Sequence, residues 1–300
     1  MTRIRSHATL FGRAVSEFRN NRYVSFPKAF GGIFASAGDW EIVPREKLKN
    51  SKTSDTIFIL GSGPSLGSLN QEQIRVINQN DSLGISLSFL FDQIIPTYHL
   101  LPLERESAEN RGRTTMLNLF QDYRLSYKET IMLLPQKILF RLGHPRWIPQ
   151  AFPVNPRIHY WRTKKKPPFS ESAGFNTEYF DKSLIYRGTL TVALDIAVSL
   201  GYQTIVLIGV DPRRWRYFYQ DDPRLQAYLD ETYRLSYGVS QGSGPDSPYV
   251  GMQPREGVEG TLIEYLTGLR SYLKKKRDVR LMTAFNSSDL GGILPEFFQE

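Results

Sequence analysis

Two five-residue stretches, Thr56–Leu60 and Thr204–Ile208, are apolar at nearly every position. A strand with one face in water alternates polar and apolar side chains, so a strand that is apolar throughout needs cover on both faces. Both stretches lie next to segments of helical spacing and end abruptly, the first at Gly61-Ser62-Gly63-Pro64-Ser65-Leu66, the second at Gly209-Val210-Asp211. Alternating buried strands and helices define the fold class: α/β, Rossmann-like, with a mainly parallel sheet, helices on both faces and an inserted lid or subdomain.

The other elements follow the same logic. Leu69, Ile74 and Ile77 mark a helix reaching about Ile77, and Ser82–Leu90 reads as a second strand. Met116–Tyr127 has helical spacing, and Thr130–Leu134 reads as a strand. Leu190, Ala193, Leu194, Ala197 and Val198 form the apolar stripe of a buried helix, with Thr189 as its N-cap and Gly201 as its stop. Helices at Arg224–Leu235 and Thr261–Lys275 and a strand at Val279–Thr283 complete the pattern. The domain reading is a helical lead-in over residues 1–50 and a Rossmann-like domain over 51–300. Prolines 145, 149, 153, 156, 167 and 168 crowd the stretch from about 102 to 183, which reads as an irregular lid insertion.

Composition excludes several classes. There is no cysteine, so disulfides and thiolate metal sites are ruled out. The four histidines lack metal-ligand spacing and no Asp-x-Asp occurs, so no metal cofactor is expected. No Gly-x-Ser-x-Gly elbow is present for a serine hydrolase. The formal charge of +8 favours an anionic partner. No nucleic-acid module accompanies it, so nucleic acid is not the expected ligand. Met1–Phe18 is basic without the apolar core of a signal peptide, which points to a cytoplasmic protein. As a helix, that segment either docks on the domain or lies on the inner membrane face, with Ile4, Leu10, Phe11, Val15 and Phe18 set among arginines.

In open parallel sheets ligands bind at the carboxyl ends of strands. That rule selects Gly61–Leu66, Ser86–Ser88, Gly209–Asp211 and Ala284–Ser288. In the first, Gly61 and Gly63 let the backbone approach a phosphate, and Ser62 and Ser65 add hydroxyls. Neither a Walker sequence nor a full dinucleotide fingerprint is present. Arg187 beside the Thr189 cap suits a phosphate or carboxylate. Asp211 can accept a sugar hydroxyl, position a loop or act as a base. Tyr217 and Tyr219, in a loop with Arg213, Arg214 and Arg216, suit a phosphate leaving group.

Taken in order, the Gly-Ser-Gly-Pro-Ser-Leu turn, the helix ending in Leu200-Gly201-Tyr202, the strand closing in Gly209-Val210-Asp211 and Ala284-Phe285-Asn286-Ser287 resemble the bacterial sialyltransferases of family 42. The resemblance covers mainly residues 56–92 and 184–294. It implies a CMP-activated acidic sugar as donor, no metal, and a glycan or glycolipid acceptor in surface-polysaccharide synthesis. By position it places Gly61, Ser62, Gly63, Ser65, Ser86 and Thr189 at the donor, Asn286 and Ser287 at the cytidine, and Tyr217 or Tyr219 at the phosphate. Where the family carries His-Tyr-Ile-Gly-His with its general base, this chain has Pro248-Tyr249-Val250-Gly251-Met252. The proton acceptor is then Asp211, Asp246 or a histidine of the lid. Two other readings stay open: a pterin diphosphokinase-like phosphotransferase, and a non-catalytic nucleotide- or glycan-binding protein. A homo-oligomer is compatible with either.

Overall fold

The computed structural model describes residues 41–101, 120–135, 157–165, 182–185, 189–212, 217–219 and 262–298. Its strands are β1 (Glu41–Ile42), β2 (Thr56–Leu60), β3 (Asp81–Ile85), β4 (Tyr98–Leu100), β5 (Ile131–Pro135), β6 (Arg157–Lys165), β7 (Lys182–Ile185), β8 (Thr204–Ile208) and β9 (Arg280–Thr283). Every pairing among them is parallel. The order across the sheet is β1-β6-β5-β4-β3-β2-β8-β9, with β7 paired to the far end of β6.

That order fixes where a ligand can enter. From β2 the chain builds outward through β3, β4 and β5 to β6 and β7, then returns to the opposite side of β2 to lay down β8. Connections leaving β2 and β8 therefore diverge, and the sheet opens a crevice between their carboxyl ends.

The helices are α1 (Arg45–Lys49), α2 (Pro64–Gly67), α3 (Gln71–Asn78), α4 (Thr189–Ser199) and α5 (Leu262–Arg277). Alternation along β2 sorts two cores. Ile57 and Ile59 pack with α4 and α5 on one face. Phe58 and Leu60 pack with Leu66 and α3 on the other. Burying each such side chain contributes roughly 1.5–3 kcal/mol. β2 and β8 are thus covered on both faces, as their uninterrupted apolar character requires.

Local signals explain the helix limits. Asn70 accepts the Gln73 N–H while the Gln73 side chain accepts the Asn70 N–H, a reciprocal capping box for α3. α4 closes on Gly201 at φ 82°, with Gly201 N–H on Val198 O and Tyr202 N–H on Ala197 O. From Leu190 to Ser199 every residue of α4 is buried, including Asp195, so the helix is enclosed beyond its apolar stripe.

Several sequence expectations change. The strand expected over Ser82–Leu90 ends at Ile85, and Ser86–Leu90 is a 3-10 turn. The single helix expected to reach Ile77 is two, broken at Ser68–Asn70. Glu41–Lys49, counted with the lead-in, belongs to the sheet domain, because β1 pairs with β6. The stretch 102–183 contributes β5, β6 and β7 to the sheet; most of the rest of it lies outside the described residues. So do residues 1–40 and the helix expected at Arg224–Leu235. Among the described residues no helix is long and apolar enough to cross a membrane.

Candidate functional site

The crevice between β2 and β8 begins where their last pair, Leu60 and Ile208, ends. Gly61 N–H continues the ladder to Ile208 O at 2.7 Å, and Gly63 N–H reaches Gly209 O at 2.7 Å. The two backbones run so close that a Cβ on Gly61 would overlap the Gly209 carbonyl, and one on Gly63 would overlap the Asp211 carboxylate. Gly209 turns at φ 66°, in the left-handed region. Glycine at these positions is a packing requirement.

A buried polar latch joins the two turns. Asp211 Oδ2 accepts the Ser65 N–H at 2.9 Å and the Ser65 hydroxyl at 2.8 Å. The same Ser65 Oγ accepts the Gly209 N–H at 3.0 Å. Both side chains are buried, so these bonds form away from competing water. Ser65 therefore uses its amide and its hydroxyl within the chain, and Asp211 ties the turn after β2 to the end of β8.

The segment Tyr217–Tyr219 closes over this turn. Phe218 N–H donates to Ser62 O at 3.1 Å, and the Phe218 ring stands edge-on to Phe91 at 5.7 Å. Anchored there, the Tyr217 and Tyr219 rings lie stacked, 5.2 Å apart and nearly parallel. Tyr219 is buried and Tyr217 half-buried.

The remaining expected residues lie along the same edge. Ser86 follows β3 immediately. Leu60 pairs with Gly84, so the Ser86 corner and the Gly61–Ser65 turn leave the same edge of neighbouring strands. Beyond β8, Ala284 N–H bonds Leu207 O, and exposed Asn286 and Ser287 follow in the next turn. Ser288 braces that turn, donating to Phe285 O at 2.7 Å. Half-buried Thr189 opens α4. Arg187 and Asp246 lie outside the described residues. The exposed cluster Lys274–Arg277 ends α5, which leads into the start of β9, so it sits at the opposite end of the sheet from the crevice. Among the described residues no group of three or more His, Asp or Glu could hold a metal ion.

Sequence reasoning passed over His99, on β4 directly opposite Gly84. Its ring is fully buried among Phe89, Phe120 and Tyr127. Nε2 lies 3.0 Å from the Ser86 carbonyl oxygen. Burial lowers its pKa to about 4, against the opposing pull of that backbone bond. The neutral ring must carry its proton on Nε2, because a carbonyl only accepts. A histidine inside the apolar run Tyr98–Leu101 was the only available signal.

Sheet order and helix placement together define a Rossmann-like α/β protein, with the candidate site at the carboxyl ends of β2, β3, β8 and β9. No protein-family model matches the chain, and no curated protein matches it significantly. Among solved structures it is similar to a monofunctional alpha-2,3-sialyltransferase, Cst-I from Campylobacter jejuni, at 16% identity and TM-score 0.42, covering 86% of this chain and 82% of that one. It is also similar to the sialyltransferase CstII from Campylobacter jejuni in complex with the substrate analogue CMP-3FNeuAc, at 16% identity and TM-score 0.44, covering 80% and 86%. A third, CST-II in complex with a trisaccharide acceptor and CMP, is 14% identical with TM-score 0.40, covering 80% and 85%.

Proposed function

We propose that this chain binds a nucleotide-activated sugar at the β2–β8 crevice and transfers its glycosyl group to a glycan or glycolipid acceptor. The carrying observation is the latch itself. Two glycine-built turns are locked together by Ser65 and Asp211 at the point where the sheet order reverses. A rigid backbone shelf at a switch point suits a nucleotide, which is recognised by position more than by any single charge. The stacked tyrosines on that shelf suit its phosphate, since a phenol donates a hydrogen bond without needing a metal. The motif order that resembles family 42 narrows the donor to a CMP-linked acidic sugar.

Asp211 acts in this reading as a positioning carboxylate. Its Oδ2 already accepts two bonds from Ser65, which suits holding the turn better than taking an acceptor's proton. The proton acceptor is assigned to Asp246 or to a histidine of the stretch 102–183. No metal takes part, so binding and turnover are expected to persist in excess EDTA.

Calorimetric titration with CMP, UDP and GDP tests the donor class. CMP alone should bind; binding of UDP or GDP with silence from CMP would refute the assignment. Hydrolysis or transfer of CMP-sialic acid, followed by CMP release, then separates a transferase from a protein that only binds.

A further inference from the structure

We infer that His99 is a positioning residue: from inside the sheet it holds the Ser86 corner in a left-handed conformation, and so sets what β3 presents to the nucleotide. The ligand's identity rests on the proposed function; the hold rests on geometry alone.

Among the described residues, Ser86 and Asp278 are the non-glycine positions with positive φ, both at 53°. Asp278 needs no special account. It follows the last residue of α5, where chains commonly turn left-handed, and aspartate tolerates that region. Ser86 has neither excuse. It opens the 3-10 turn after β3, and a left-handed φ crowds its Cβ against the backbone. Such outliers persist where surrounding structure over-determines them, and they gather at ligand-facing corners.

The over-determining group is on the neighbouring strand. His99 pairs with Gly84, two residues before Ser86, and its Nε2–H donates to the Ser86 carbonyl at 3.0 Å. Gly84 makes the room. A Cβ there would lie 2.6 Å from His99 Nδ1 and 2.8 Å from Ser88 Oγ, so only glycine lets the ring lie over the strand. Ser88 Oγ and His99 Nδ1 flank the same slot, and neither has a hydrogen-bond partner, so Nε2 carries the ring's one polar contact.

The surroundings carry no charge. Phe89, Phe120 and Tyr127 wall the ring at centroid distances of 5.9, 6.1 and 5.5 Å. Burial raises the Tyr127 hydroxyl, so it stays protonated. An apolar side chain would fill this pocket as well as an imidazole does. What the imidazole adds is one aimed donor, and its acceptor is the corner. That corner leaves β3 at the edge where the Gly61–Ser65 turn leaves β2.

The test is a double-mutant cycle on the full chain with His99→Leu and Ser86→Gly, read by urea unfolding and by CMP titration. Glycine adopts positive φ without being held. His99→Leu alone should weaken CMP binding by about tenfold, the scale of one buried hydrogen bond. In the Ser86→Gly background the same change should weaken it less than twofold further. His99→Gln, whose amide nitrogen reaches the place of Nε2, should restore binding to within about threefold of wild type. Equal losses from His99→Leu in both backgrounds, or no rescue by glutamine, would overturn the inference. Should His99→Leu not fold, His99→Asn takes its place in the cycle, because its shorter amide falls short of the Ser86 carbonyl and the same coupling with Ser86→Gly is expected. If the wild-type chain binds no nucleotide, the proposed function fails and takes the ligand-facing part of the inference with it. The unfolding cycle still decides the hold, which a coupling of zero would refute.

Discussion

Acidifying the protein from pH 7.5 to pH 4.5 should destabilise it through His99, by an amount the structure allows to be worked out. The ring titrates near 6.5 in an unfolded chain and at about 4 in the fold, because burial disfavours the charged form. Between those values the unfolded state binds a proton that the folded state refuses. Stability is therefore complete above pH 6.5 and falls as pH drops towards 4. Each unit costs about 1.4 kcal/mol, so the full window of about 2.5 units amounts to about 3 kcal/mol. Urea unfolding at pH 7.5, 6.5, 5.5 and 4.5 reads this for wild type and for His99→Gln. Other histidines and carboxylates titrate in both proteins and cancel in the difference. The wild type should lose about 2–3 kcal/mol more than the glutamine variant across the range. Parallel pH profiles for the two proteins would show that His99 is not held neutral in the fold.

The crevice gives further expectations. Gly63→Ala places a methyl against the Asp211 carboxylate and the Gly209 carbonyl; it should abolish CMP binding in titration and cost about 1–3 kcal/mol in unfolding. Asp211→Ala removes the acceptor of two Ser65 bonds, and should cost about 2–3 kcal/mol by urea denaturation. In steady-state kinetics a positioning role predicts that KM rises and that Asp211→Asn keeps most of kcat; a thousandfold fall in kcat at unchanged KM would assign it the base instead. Tyr202→Phe removes the hydroxyl that donates to buried Asp81 at 2.9 Å, far from the crevice. It should lower stability by about 1–2 kcal/mol and leave CMP affinity unchanged.

What the sequence disclosed follows from how local each signal is. β2 and β8 are legible because their position in the middle of the sheet demands apolar residues on both faces, and no other element of that length makes the same demand. The Gly61–Ser65 turn and Asp211 were legible for a related reason: they end those strands. By contrast, β1 is two residues long and β4 three, too short for any period to emerge. β6, Arg157–Lys165, carries Arg157, Arg162, Lys164 and Lys165 between prolines, and reads as irregular until its partners β5 and β7 are known. The break at Ser86 was hidden because its cause lies thirteen residues away on another strand. Alternation of Leu and Ser through Ser86–Leu90 imitates a strand, and only the His99 bond and the change in φ distinguish the two. The pairing of Ser65 with Asp211 was likewise invisible as a bond, although the placement of both at the crevice was not.

The latch spans 146 residues of sequence, and that separation governs how the protein assembles and how it can change. β2 must wait for almost half the chain before its partner β8 exists, so the joined pair of turns is a long-range feature that forms slowly compared with local contacts. Yet closing so long a loop is forgiving of length, since each doubling costs only about 0.6 kcal/mol. Connections between the intervening strands can therefore change in length while β3 to β7 and the two joined turns stay the same.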